Sequence, residues 1–177
     1  EDAFYNCKKL TSITIPNSIT EINDLAFAHC SGLEAVTIPN SVTSIGNRAF
    51  SNCTSLKTVV IPNSITSIGN YAFQVCRKLA EFFIPISVMS IGENPFLNCE
   101  QLRRIEVAEG SNHFKVVDGV LFNKEMTRLV SSAACTQSNY TIPDSVTSVG
   151  GFAFTNCSVL TSVTIPKSVT SIGGHAF

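Results

Sequence analysis

A repeat of 23 residues runs through the chain and constrains its fold more than any other feature. Proline, phenylalanine and cysteine each return at this spacing, at Pro16, Pro39, Pro62 and Pro85, at Phe4, Phe27, Phe50, Phe73 and Phe96, and at Cys7, Cys30, Cys53, Cys76 and Cys99. The spacing resumes later, between Pro143 and Pro166 and between Phe154 and Phe177. Fixing the backbone costs about 1–2 kcal/mol per residue, which one such unit cannot recover alone. Successive units must therefore stack and bury one another's apolar faces, as in a solenoid.

Each unit begins with a strand pattern. In the first full unit, Ile13 and Ile15 alternate with Ser12 and Thr14, which is the pattern of a strand with one buried face. Proline follows and ends the strand, because it has no N–H to donate to the ladder. Stacked units then form a parallel sheet with right-handed connections.

The second half of each unit predicts another extended edge and a turn. Ile19 and Ile22 form an apolar pair after the proline and recur in later units. One position after this pair predicts a positive φ, since it holds Asn23 and then Gly46, Gly69, Gly92, Gly150 and Gly173. The Ala-Phe segment that follows is too short for a regular helix and predicts one helical or 3₁₀ turn. The sequence thus predicts a β-rich solenoid of 23-residue right-handed coils, with a parallel sheet and short helical turns.

One longer unit, at about residues 108–141, interrupts the period. It contains two β-rich runs around Asp118-Gly119, which predict a hairpin, and a further strand pattern in TRLVSS. Its apolar density stays high, so we expect an enlarged coil rather than a linker. Phe122 is a candidate to continue the phenylalanine series. The whole chain, 1–177, is then a single solenoid domain. Because it opens and closes within a repeat, we expect a piece of a longer protein.

The repeat L-x-x-I-x-IP-x-S-V-T-x-IG-x-x-AF-x-x-C resembles the BspA-like, or treponemal-type, leucine-rich repeat. The segment VDGVLFNKEMTRLV resembles the longer variant unit of that family, and the resemblance covers essentially the whole chain. It implies a leucine-rich-repeat solenoid at the cell surface, or secreted, in host-associated bacteria and parasitic protists. Family members include adhesins that bind host matrix proteins or other microbes, and the family has no catalytic residues to carry over. The chain departs from the pattern at Ile86, where Asn or Asp is common, and in SSAAC, where a proline is usual.

Composition excludes several classes of function. The formal net charge is −1, which gives no general attraction to nucleic acid or to acidic membranes. No apolar run reaches the ~18 residues that a membrane span needs, so we expect no direct membrane insertion. Paired carboxylates, phosphate loops and nucleophile elbows are absent from the sequence, so we expect neither an enzyme nor a cofactor.

The cysteines, histidines and sequons have structural interpretations. Cysteines 23 residues apart do not have the spacing of zinc ligands, and we expect a ladder of small buried side chains, with Cys135 outside it as the exposed thiol. His29 and His175 are expected at solvent-facing turns, and His113 has no repeated acidic neighbour. Glycosylation sequons begin at Asn52, Asn139 and Asn156 and matter only if the chain is secreted from a eukaryote.

The outward strand positions are the most informative surface. Those toward the ends are small and polar, but the middle of the array carries a candidate ligand-binding patch of Val60, Glu81, Phe83, Arg104 and Glu106. An outward phenylalanine among charged residues is typical of a binding site, although single exposed apolar residues are also ordinary. We expect an adhesion or interaction module for a host-matrix protein, a cell-surface protein or a glycan. The alternative is a structural spacer that displays another domain. Unprotected end coils also predict end-to-end self-association.

Overall fold

The computed structural model describes residues 2–132, 136–155, 157 and 159–177. Within them the chain winds into a stack of coils built from short strands and turns, without a helix. The strands are β1 (Glu21–Ile22), β2 (Ala35–Thr37), β3 (Ser44–Ile45), β4 (Thr58–Val60), β5 (Ser67–Ile68), β6 (Glu81–Ile84), β7 (Ser90–Ile91), β8 (Arg104–Val107), β9 (Phe114–Val117), β10 (Val120–Asn123), β11 (Arg128–Ser131), β12 (Asn139–Thr141), β13 (Ser148–Val149), β14 (Ser162–Thr164) and β15 (Ser171–Ile172).

Two faces of the stack carry parallel strands. The front face holds the first strand of the later units, with β2 paired to β4, β6 to β8, and β12 to β14, whereas the predicted strand of the first full unit, at residues 12–15, is not formed. The back face holds the second, with β1, β3, β5 and β7 in one sheet and β13 and β15 in another. The register advances by one repeat at each step, so Val36 lies beside Val59 and Ile22 beside Ile45. The solenoid and both of its extended edges are therefore confirmed.

The phenylalanine and cysteine series line the core. The rings of Phe27, Phe50 and Phe73 stack nearly parallel at centroid distances of 5.2 and 5.4 Å. Beside them the Cys53 thiol donates to the carbonyl oxygen of Phe27 in the preceding coil, at 3.2 Å. The thiols of Cys30, Cys76 and Cys99 make the equivalent bond. Cys7 is exposed and Cys157 is half-buried, so the buried ladder comprises the four central cysteines of the described chain.

The Ala-Phe segment is not helical, which corrects the predicted helical turn. The Ala28 amide donates to the Leu25 carbonyl within the turn, at 2.9 Å, but the Phe27 amide donates to Ala49 in the next coil, at 2.8 Å. This alternation recurs along the stack. In a helix every amide donates to a carbonyl of the same helix. Here every second amide donates to the next coil instead, so the segment cannot be helical. Residues at the turn accordingly have a positive φ, such as 59° at Leu25.

The repeated glycine also has a different role from the predicted one. Gly46, its equivalents and Asn23 do not have a positive φ. A Cβ on Gly46 would instead lie 2.5 Å from the backbone nitrogen of Asp24 in the preceding coil, and one on Gly69 would lie 2.6 Å from that of Asn47. Glycine is required because the two backbones approach closely, not because of its dihedral freedom.

The enlarged unit forms a three-stranded antiparallel element. β9 and β10 pair as a hairpin around Asp118 and Gly119, whose φ values of 51° and 78° match a two-residue turn of the I′ type. β10 then pairs with β11, which rejoins the back face beside β13. Phe122 is fully buried but lies on β10, and no ring contact in the described chain joins it to Phe96 or Phe154. The expectation that Phe122 continues the phenylalanine series is therefore not met.

Candidate functional site

The five outward residues of the candidate patch lie together on the front face. Val60 ends β4, Glu81 and Phe83 lie on β6, and Arg104 and Glu106 lie on β8. Register places Glu81 beside Arg104 and Phe83 beside Glu106. Val60 and Phe83 are 57% and 50% exposed, which is unusual for large apolar side chains at the centre of a stack. All five border one cavity of about 360 Å³ between β4 and β6, called here the front groove.

The front groove opens where a larger side chain enters the core. Phe82 occupies the inward position that Val59 and Ile105 hold in the neighbouring coils. Its ring packs 4.9 Å from that of Phe73 and 4.6 Å from that of Phe96, and these two rings are 6.3 Å apart instead of the usual 5.2–5.4 Å. No ladder joins β4 to β6 in the described chain. A wedge of this size separates the coils and breaks the front sheet there.

Charged groups form the rim of the groove. The Arg104 guanidinium contacts the Glu106 carboxylate at 2.5 Å, and both side chains are about half-exposed. Lys57 pairs with Glu34 at 3.0 Å on the opposite side. Exposed pairs like these contribute little stability, about 0–1 kcal/mol. Their effect is to place both signs of charge at the edge of the groove.

A second cavity, of about 600 Å³, adjoins the front groove and is called here the hairpin crevice. Phe83 and Glu106 border both cavities. The crevice is lined by residues of β8, of the loop after it and of the hairpin, and its charged residues are Glu106, Glu109, Lys115 and Lys124. Lys124 is held there by a 2.6 Å bond from Nζ to the Ser111 carbonyl. Sequence reasoning did not find this crevice, although the break in the period directly after the patch was a signal for it.

The buried thiols of the cysteine ladder are not activated for chemistry. Burial raises the pKa of Cys53 and of Cys99 to about 12, and it raises that of Cys76 well above its ordinary value. These thiols stay protonated, so they are neither nucleophiles nor ready metal ligands. Across the part of the chain that the structure describes, no three His, Cys, Asp or Glu side chains converge as a metal site would require. Cys135, the predicted exposed thiol, lies outside the described residues.

The histidines occupy turns and pack against aromatic rings. His175 is exposed and stacks on Phe152 at 5.1 Å, whereas His29 is half-buried with its ring 5.2 Å from that of Tyr5. His113 is exposed.

The sequons differ in access. Asn139 is exposed, Asn52 is half-buried, and Asn156 lies outside the described residues. A search of the described chain for a helix of membrane-spanning length and apolarity found none.

Comparison with known proteins places this architecture in a family. The profile described as BspA type leucine rich repeat region matches residues 1–125 and 131–177, in six copies. A leucine rich cell surface protein from Faecalibacterium prausnitzii is 39% identical with a TM-score of 0.90, over 99% of this chain and 47% of that one. The pneumococcal vaccine antigen PcpA is 31% identical with a TM-score of 0.83, over 90% and 40%.

A leucine-rich repeat protein from Eubacterium ventriosum is similar as well, at 31% identity and a TM-score of 0.75, over 89% of this chain and 48% of that one. This chain thus spans less than half the length of these three solved relatives. A comparison with curated proteins gave no match. The family profile covers nearly every residue, and its repeat is the one that builds the coils and their core, so the chain belongs to the BspA-type leucine-rich-repeat family.

Proposed function

We propose that this chain is a cell-surface or secreted interaction module that binds a protein or glycan of a host or microbial surface and performs no catalysis. Its binding surface is the front groove with the patch of Val60, Glu81, Phe83, Arg104 and Glu106. One observation carries the proposal. Phe83 is half-exposed at a front-face position that holds threonine in the coils toward both ends, at Thr14, Thr37, Thr141 and Thr164.

The anatomy of the groove supports binding. An apolar centre with a charged rim is the usual plan of a small interface, and aromatic and arginine side chains are the commonest energetic anchors. Phe83 projects from β6, and Arg104 already contacts Glu106 in the free protein. That contact uses one amino group of Arg104, so its other N–H groups can donate to a partner's carboxylate.

The relatives support the location. The Faecalibacterium prausnitzii protein is a leucine rich cell surface protein, and the pneumococcal relative is a vaccine antigen. Neither description names a ligand. The identity of the partner therefore has to come from binding experiments on this chain.

The test is a double variant, Phe83→Ala with Arg104→Ala. Both side chains are exposed, so the melting temperature should stay within about 2 °C of wild type. Binding to epithelial cells and their deposited matrix should weaken at least tenfold. Thr164→Ala, at the equivalent front position near the other end of the stack, is the control and should bind normally. Full binding by the double variant would move the site off the groove.

The spacer alternative has an observation in its favour. Front positions toward the ends of the stack are small and polar, as at Ser12, Thr14, Ser162 and Thr164, and offer no recognition chemistry of their own. If wild-type protein binds neither cells nor matrix, the spacer function is preferred over the interaction function.

End-to-end association of this chain is proposed as well. The first coil opens onto an apolar cavity of about 370 Å³ lined by Phe4, Ile15 and Ile19, and the last coil exposes Ile172 and Phe177. Phe177 of one copy can extend the ring stack at Phe4 of the next. Sedimentation velocity should then show a concentration-dependent average mass, and Phe4→Asp should abolish it. A constant monomer mass at all concentrations would contradict the association.

A further inference from the structure

One coil of the stack departs from the others at three exposed positions. The coil of β6 and β7 carries Phe83, Ile86 and Met89, which are 50%, 49% and 56% exposed. Elsewhere the position of Ile86 holds polar residues, at Asn17, Asn40, Asn63, Asp144 and Lys167. The position of Met89 holds threonine, at Thr20, Thr43, Thr66, Thr147 and Thr170. The repeats act as internal controls, and they show that the fold does not require apolar residues at these places.

Met89 gives up a structural interaction that its equivalents make. The Thr66 hydroxyl donates to the Thr43 carbonyl at 3.2 Å, and the Thr43 and Thr170 hydroxyls make the same bond to the coil before. Methionine has no hydroxyl, so this column of bonds is interrupted at Met89. Met89 lacks this hydrogen bond and its side chain stays exposed to water. The stability of the chain alone therefore does not explain why methionine is found at this position.

The three side chains, called here the apolar collar, follow the edge of the coil from front to back. Phe83 borders the hairpin crevice, and Met89 borders a cavity of about 340 Å³ on the back face, with Phe114 in the wall of both. Between them the 108–113 loop passes Ile86, whose Cδ1 lies 3.8 Å from where a Cβ on Gly110 would be. The loop does not cover the collar, since about half of each side chain stays exposed.

We infer that the collar extends the binding surface around this edge and that the partner is a protein. The inference rests on the proposed function and names the partner class for the same site. Phe83 is the one collar residue with a ring face on which a sugar could stack, and Ile86 and Met89 offer neither a ring nor a hydrogen-bond donor. The chain's net charge of −1 gives no attraction to an anionic membrane.

Charge defines the partner more closely. The lining of the hairpin crevice includes Glu106 on β8, Glu109 in the loop after it, Lys115 on β9 and Lys124 after β10. Glu106 is already paired with Arg104, and Lys124 with the Ser111 carbonyl. The floor of the crevice includes the apolar residues Ile105 and Phe114. A matching partner segment places an apolar side chain in the crevice, with a basic residue toward Glu109 and an acidic residue toward Lys115. Flanking apolar groups then rest on Ile86 and Met89.

The test variant restores the residues of the other coils, as Ile86→Asn with Met89→Thr. Both are native to equivalent positions, so the variant should fold, and its melting temperature should equal or exceed that of wild type. Binding is measured on cultured epithelial cells, either untreated, trypsin-treated, or oxidised with mild periodate to destroy glycans. The control is Val159→Thr, which removes another half-exposed apolar side chain far from the collar.

We expect at least fivefold weaker binding for the collar variant, normal binding for the control, and loss of wild-type binding after trypsin but not after periodate. Normal binding by the collar variant, with loss in Phe83→Ala/Arg104→Ala, overturns the collar and leaves the front groove as the site. Wild-type binding that survives trypsin and is lost after periodate overturns the protein partner in favour of a glycan. Absence of wild-type binding to untreated cells overturns the proposed function and this inference together.

Discussion

The side-chain amide of Asn94 donates a hydrogen bond to the backbone carbonyl of Phe152, 58 residues further along the chain. Asn94 is buried, and its own side-chain oxygen accepts from the Ser131 hydroxyl at 3.2 Å. The ring of Phe152 also reaches Tyr71 at 6.2 Å. The turns before the enlarged unit therefore contact the turn after it directly. The hairpin stands to one side of this contact, and this is how the stack accommodates the extra residues without ending.

Loss of this bridge should destabilise the junction. We expect Asn94→Ala to lower the free energy of unfolding by about 1–3 kcal/mol, because it leaves buried polar groups unsatisfied. Asn70→Ala, which removes an exposed bond to the Glu93 amide, should cost less than about 1 kcal/mol. Urea denaturation measures both. Equal losses of unfolding free energy would show that the buried Asn94 contact is no more important than the exposed hydrogen bond of Asn70.

The ring stack should be the main source of coupling between coils. Phe50 is fully buried between Phe27 and Phe73, so Phe50→Ala should cost about 3–5 kcal/mol. Phe4→Ala, at a partly exposed ring, should cost clearly less. Chemical denaturation followed by circular dichroism is suitable for both variants. A cost below about 1 kcal/mol for Phe50→Ala would mean that the rings do not hold the coils together.

Close backbone approach makes a distinct prediction for glycine. A methyl group on Gly46 would meet the Asp24 backbone, so Gly46→Ala should destabilise the protein by about 1–3 kcal/mol. Gly174 has open space where its Cβ would lie, so Gly174→Ala should be close to neutral. Thermal unfolding separates the two. If Gly46→Ala stabilised the protein, the backbones of Gly46 and Asp24 would have to be further apart than in this structure.

Buried thiols should resist labelling in the native protein. At pH 8 a maleimide should react quickly with Cys7, which is exposed, and not with Cys53 or Cys76. All seven cysteines of the sequence should react after unfolding without reductant. Mass spectrometry of the labelled peptides gives both results. Fewer than seven reactive thiols in the unfolded chain would reveal disulfides.

The same thiols predict alkaline destabilisation. The pKa of Cys53 is about 12 when folded, against 9.0 for a free thiol, so between these values the unfolded chain releases a proton that the folded chain keeps. Stability should be unaffected by this thiol below pH 9 and should fall as the pH rises above it, at up to about 1.4 kcal/mol per pH unit. Cys53→Ala should remove this contribution and leave the slope due to Cys76 and Cys99, whose pKa values are raised as well. An unchanged slope would show that Cys53 does not contribute to it.

The sequence predicts features that arise from the repeat's own chemistry. Strand alternation, the buried phenylalanine series and the Asp118-Gly119 hairpin follow from local patterns, and the structure confirms them. Constraints between coils are not visible in one unit. Glycine is required at position 46 because the Asp24 backbone of the preceding coil lies close to it. The amide of Phe27 bonds to the next coil rather than within a helical turn.

The candidate patch could be selected from sequence because repeats reveal which outward residues differ, as at Phe83. The front groove itself could not be predicted, because it depends on how far the Phe82 ring separates two coils. Its role in binding stays a prediction.

Phe83 is the proposed anchor for a partner on the front face, and Phe83→Thr tests this role. Threonine is the residue at most equivalent strands, so this change removes the anchor while keeping the fold. The measurement is the dissociation constant for epithelial cells, by titration of fluorescently labelled protein at constant ionic strength. We expect an increase of at least fivefold over wild type, with an unchanged melting temperature. Equal dissociation constants for Phe83→Thr and wild type would contradict it.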